Sequence, residues 1–93
     1  MPNTTSAARH LRVSQKRRLH NRLIRSRAQT FVKKAKRLIE EGQLDEARTV
    51  AIQATSALDK AAEKGVMHKN TVARRKSRLM RKLNRAQSAV DMG

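Results

Sequence analysis

The sequence predicts an all-α fold: a three-helix bundle with short turns at Gly42 and Gly65 and a long, overhanging basic first helix. Three observations lead there. Ala, Leu, Lys, Arg and Glu dominate a chain with one proline and one aromatic residue, a composition that favours helices over strands. Glycine occurs in the interior only at positions 42 and 65, where it can end a helix in the left-handed conformation that other residues avoid. Between these stops, apolar residues recur at steps of three and four, the spacing of one helix face.

The first helix is expected at about 6–41. Thr5 or Ser6 can cap it ahead of Ala7 and Ala8. Ile24, Ala28, Phe31, Ala35 and Leu38, widened by Leu23, Val32 and Ile39, form a stripe for packing. Earlier in this helix only Leu11, Val13 and Leu19 are apolar among many cations, so that part has little to bury and is expected to fray until an anion surrounds it. The second helix, expected at about 44–64, has Gln43 as a weak cap and Asp45 and Glu46 where the helix dipole favours negative charge. Its stripe of Leu44, Ala47, Ala51, Ala54, Leu58 and Ala61 is rich in alanine and predicts close helix approach.

Val66 and Met67 should tuck back onto the bundle. Asn70 is the expected cap of a third helix at about 70–90, with the stripe Val72, Leu79, Leu83, Ala86 and Val90. Lys76 interrupts that stripe and must either snorkel outward or meet Asp59 or Glu63. At about 1.5 Å of rise per residue, the first helix would overhang its shorter partners by about 20 Å. The overhang is residues 9–20, the part with least to bury.

The 93 residues suit a single domain, residues 1–93, without room for an enclosed substrate cavity. A net charge of +16 repels itself unless a polyanion neutralises it, which points to nucleic acid. Charge is sorted along the chain: residues 1–41 carry +10, 42–64 carry −1 and 65–93 carry +7. The middle helix therefore need not touch the polyanion, and the parallel first and third helices can frame one basic surface. Candidate contacts on the first helix are Arg9, Arg12, Lys16, Arg17, Arg18, Arg22, Arg25 and Arg27. On the third helix Arg74, Arg78, Arg81 and Arg85 form a row opposite the apolar stripe, flanked by Arg75 and Lys82. A solvated face would also be polar, but such a face usually mixes signs, as the second helix does. His68, Lys69 and Asn70 stand at the start of the third helix, where free N–H groups could hold a phosphate; alternatively Asn70 only caps the helix and His68 faces water.

The lone aromatic, Phe31, lies on a core stripe, so base stacking is not the expected mode; backbone and shape recognition of a folded nucleic acid is. No cysteine, metal-ligand spacing, phosphate-binding glycine loop or nucleophile elbow is present, so neither enzyme chemistry nor a metal or other cofactor is expected. The N-terminus has no secretory apolar run, and no stretch has the length of a membrane span, which makes the cytoplasm the expected compartment. A DNA-compacting nucleoid protein shares the charge pattern, and a membrane-surface amphipathic protein is a third reading.

The run Leu58-Asp59-Lys60-Ala61-Ala62, then Lys64-Gly65-Val66-Met67-His68-Lys69-Asn70, then Ala73-Arg74-Arg75-Lys76-Ser77-Arg78-Leu79 resembles the C-terminal signature of the bacterial small-subunit ribosomal protein family conventionally numbered twenty. Upstream, Ser6-Ala7, Lys16-Arg17-Arg18, His20-Asn21, Arg25-Ser26 and Lys33-Lys34 fall where that family has its basic first helix. The resemblance implies a three-helix bundle that binds small-subunit ribosomal RNA directly, early in assembly, near the base of the subunit body. It also implies that the first helix is inserted among RNA helices. It adds His20, Asn21, Lys33, Lys34 and Lys76 to the candidate RNA contacts. The expected partner is rRNA within the ribosome, with few or no protein neighbours required, no membrane and no small-molecule substrate. Thr4-Thr5 in place of a more basic start, and Val72 where alanine is common, depart from the family pattern.

Overall fold

The computed structural model describes residues 5–92, without the side chains of Thr5 and Ser6, so the expected cap at those hydroxyls lies outside the described residues. Three helices follow in order: α1 (Thr5–Glu40), α2 (Leu44–Glu63) and α3 (Lys69–Met92). The all-α, three-helix fold class is therefore the observed one. The segment expected to fray is helical back to Thr5. Its arginines, lysines, leucines and alanines are good helix formers, so propensity carries the helix where packing does not.

The two glycine stops are built alike. Gly42 and Gly65 take φ of +80° and +72°. Gly42 N–H donates to Ile39 O at 3.1 Å and Gln43 N–H to Leu38 O at 3.0 Å. Gly65 N–H donates to Ala62 O at 3.0 Å and Val66 N–H to Ala61 O at 2.9 Å. This pair of bonds closes the last carbonyls of a helix while the left-handed glycine reverses the chain. At Gln43 the backbone carbonyl begins α2 by accepting from Ala47 N–H at 2.9 Å, and its side chain makes no capping bond.

The cap of α3 differs from the sequence expectation. His68, not Asn70, precedes the helix, and its ring Nδ1 accepts from Asn70 N–H at 3.1 Å while its carbonyl accepts from Val72 N–H at 3.0 Å. Histidine can do this because a neutral imidazole has one unprotonated nitrogen to offer an orphan N–H.

The core holds Ala28, Val32, Ala35, Leu38 and Ile39 of α1, the α2 stripe with Val50, and Val72, Leu79 and Leu83 of α3. Ala28, Ala35, Ala47, Ala54 and Ala61 have no exposed surface, which lets the α1 and α2 backbones lie close. Met67 is buried and Val66 half-buried, closing the end of the core beside Gly65. Two expected core residues are outside it: Leu23 is 59% exposed and Val90 60% exposed. Leu23 stands where α2 has already turned away, and Val90 lies beyond the point where α3 has a partner. Lys76, the polar interruption, reaches Asp59 with Nζ 2.8 Å from Oδ1.

Cross-helix contacts fix the directions. Arg25 of α1 donates to Val66 O at 3.4 Å, just ahead of α3, and Glu40 at the end of α1 accepts from Lys82 of α3 at 2.8 Å. Residue numbers rise together along both helices, so α1 and α3 run parallel, with α2 antiparallel between them in the chain. Residues 5–23 of α1 extend past the bundle by about 28 Å, and α3 continues past Lys82 by about 15 Å at the other end. These two extensions account for the elongated shape, 73 × 22 × 14 Å.

Candidate nucleic-acid interface

Steps of three and four lead back along α1 from Glu40 through Lys36, Lys33, Gln29, Arg25, Arg22 and Arg18. Glu40 touches α3 and Arg25 touches the segment leading into it, so this row borders the seam between the two helices. From Lys82, the matching row on α3 runs through Arg78 and Arg75 in one direction and Arg85 in the other. Both walls of the seam are thus cationic. Arg18, Arg22, Lys33, Lys36, Arg78 and Arg85 are exposed, while Arg75 and Lys82 are half-buried.

The one acidic residue in these rows, Glu40, is held by Lys82. Its carboxyl lies below the ordinary glutamate range because it accepts a hydrogen bond from Lys82 and feels that charge, with a further contribution from Lys36 against a small desolvation effect. Lys82 and Lys76 are therefore already partnered by carboxylates, and the seam's free positive charge comes mainly from arginine. Arginine suits this position because its planar donors can meet two phosphate oxygens at once.

The outward row Arg74, Arg78, Arg81 and Arg85 is exposed along its length, opposite buried Val72, Leu79 and Leu83. Lys69 and Asn70 are exposed in the first turn beside His68. With Nδ1 used for the cap, His68 has only Nε2 left to meet another group. On the arm, Arg9, Arg12, Lys16, Arg17 and Arg18 are exposed around the helix, with His20, Asn21 and Arg22 at its base.

Arg27 and Lys34 are not in the α1/α3 seam. Arg27 lines the groove on the α2 side with His20, Leu23, Thr30, Lys60 and Lys64, and Lys34 follows Arg27 and Thr30 on that row. Lys36 is absent from the sequence candidates although it stands one helical step from Lys33. The step from Lys33 to Lys36 and on to Glu40 is a usable signal. Lys60 and Lys64 read in sequence only as dipole-compensating residues at the end of α2; their approach to His20 and Arg27 is a product of packing that no local spacing encodes.

Among the described residues, no group of three or more His, Asp or Glu stands together as metal ligands, and no helix is long and apolar enough to cross a membrane. What the arrangement offers is a set of fixed cations along two parallel helices and a projecting arm.

Comparison with known proteins agrees with that chemistry. A family model described as Ribosomal protein S20 matches residues 2–84. The small ribosomal subunit protein bS20 of Thermomicrobium roseum is 60% identical over 84 residues, covering 90% of this chain and 85% of the relative. That of Dehalococcoides mccartyi is 52% identical over 86 residues, covering 92% and 98%. That of Dictyoglomus thermophilum is 44% identical over 89 residues, covering 96% of each.

Proposed function

The chain belongs to the ribosomal protein S20 family, a family of structural ribosomal proteins and not of enzymes, and from this premise we propose that it binds small-subunit rRNA directly through phosphate and shape contacts. In this reading residues 1–93 act as one rRNA-binding domain in the ribosome of the bacterial cytoplasm, needing few or no protein neighbours. The observation that carries it is the continuity of exposed cations along parallel α1 and α3, with α2, the charge-balanced helix, kept behind them.

The mechanism is electrostatic. Arginines on both walls of the α1/α3 seam and on the outward row of α3 replace the counterions of rRNA phosphates, and release of those ions drives binding. The seam spans two helices whose axes lie about 8–10 Å apart, so phosphates contact its two ridges together and fix the protein's orientation on folded RNA. The arm, a lone helix about 10–12 Å across, is slim enough to lie between neighbouring RNA elements and neutralise charge on each. Packing of separate RNA helices during assembly then costs less repulsion.

Hydroxyl-radical footprinting of naked small-subunit rRNA tests this reading. Discrete protected backbone segments that appear with the wild-type chain and fade when Arg78 and Arg81 are both changed to Ala are the expected result. Absent or uniform protection would contradict it.

A further inference from the structure

The arm carries an apolar row as well as charge. Leu11, Gln15, Leu19 and Leu23 follow at steps of four on one face, and the three leucines are 60%, 58% and 59% exposed. Arg12 and Lys16 border this row on one side, and Arg18 and Arg22 on the other. Nothing in the chain covers it.

The outer face of α2 is its counterpart. Asp45, Thr49, Ile52, Ser56, Asp59 and Glu63 follow at steps of four and three, all exposed, with no cation in the row. Ile52, 68% exposed, sits at its centre beside Met80 of α3, in an open groove that Ala51, Thr55 and Leu83 also line. Arm and α2 face therefore match in kind: leucines edged by cations against an isoleucine–methionine groove edged by carboxylates.

They match in length too. The arm, residues 5–23, spans about 28 Å and the 20-residue α2 about 30 Å. The arm projects from the end of the bundle where α2 finishes, so it cannot fold back along its own α2 without breaking α1. A second copy turned end for end about a two-fold axis near Leu23 removes that obstacle. Each arm then lies along the other copy's α2, and the association closes at two chains.

We propose that the chain, when free of nucleic acid, forms a reciprocal two-fold dimer in which each α1 arm occupies the outer face of the partner's α2. The net charge of both copies opposes this contact. Screening within about 8 Å at physiological salt limits that repulsion, while opposite charges brought together at the contact remain attractive. Because the same arm is a proposed rRNA contact, RNA and the second copy compete for it. That competition rests on the rRNA-binding reading; the dimer itself does not.

Sedimentation equilibrium of the full-length chain without RNA is the test, with Ile52→Lys combined with Glu63→Lys as the variant. The wild type should show a concentration-dependent dimer, and the variant at least a tenfold weaker association with its far-UV helix signal and rRNA affinity retained. A wild-type chain that stays monomeric into the high micromolar range overturns the proposal, as does a dimer indifferent to the double substitution. Sedimentation with anionic vesicles by a monomeric chain would assign the leucine row to a lipid surface instead, and also overturns it. If the fold of that variant is lost, Leu11→Gln with Leu19→Gln serves: it should abolish the dimer, and an unchanged dimer refutes the assignment.

Discussion

At the scale of single residues, the structure divides the cations into those held by carboxylates and those left for phosphate. Lys76 and Lys82 belong to the first kind, paired with Asp59 and Glu40 at 2.8 Å. Arg78 and Arg81 are exposed on the outward side of α3 and belong to the second. Changing both to Ala should weaken rRNA binding and lower the salt slope by about one for each phosphate no longer neutralised, with the far-UV helix signal unchanged. A salt series in a filter-binding assay reads both quantities. Glu40 gives a pH prediction. Its folded carboxyl titrates below the unfolded one, so the contribution is present above about pH 4.3 and disappears as pH falls through the folded value. Wild type and Glu40→Gln should therefore differ in Tm near neutral pH and converge in acid; because the pair is exposed, the difference should be small.

The helical elements are largely legible in the sequence because their stop signals are backbone chemistry. Gly42 and Gly65 both adopt positive φ, and a Cβ added at either would meet nothing within 4 Å. Replacement by Ala should thus cost about 1–2 kcal/mol from backbone conformation alone, read as a lower urea midpoint. The start of α3 is less legible. Asparagine is the usual capping residue, which favours Asn70, yet the chain leaves the turn earlier and His68 supplies the acceptor. Substituting His68 by Ala should lower stability by about 0.5 kcal/mol, the modest end of capping losses, while His68→Asn should restore most of it. Leu23 and Val90 fall outside the core for a different reason: each continues its helix's apolar spacing, but exposure depends on where the neighbouring helix ends. Spacing marks a face and says nothing of whether a partner covers it.

For the whole molecule, the sequence carries the sorting of charge between helices and the overhang of α1, since both follow from counting residues between stops. It does not carry the pairing of Arg25 with Val66 or the approach of Lys60 and Lys64 to Arg27, which depend on helix rotation about the core. The second overhang, at the end of α3, follows from the register set by Lys82 and Glu40. The arm is helical but packs on nothing, so its amides should exchange within the dead time in the monomer without RNA, while those around Leu58 and Leu79 exchange slowly. Slow exchange across residues 9–20 in that monomer would mean that an unseen contact holds the arm. The central claim is recognition of folded rRNA by phosphate position and shape, and equilibrium binding to small-subunit rRNA and to duplex DNA at matched salt tests it most directly. The account predicts clearly tighter binding to the rRNA at every salt concentration, with both affinities falling as salt rises; equal affinities for the two would contradict it.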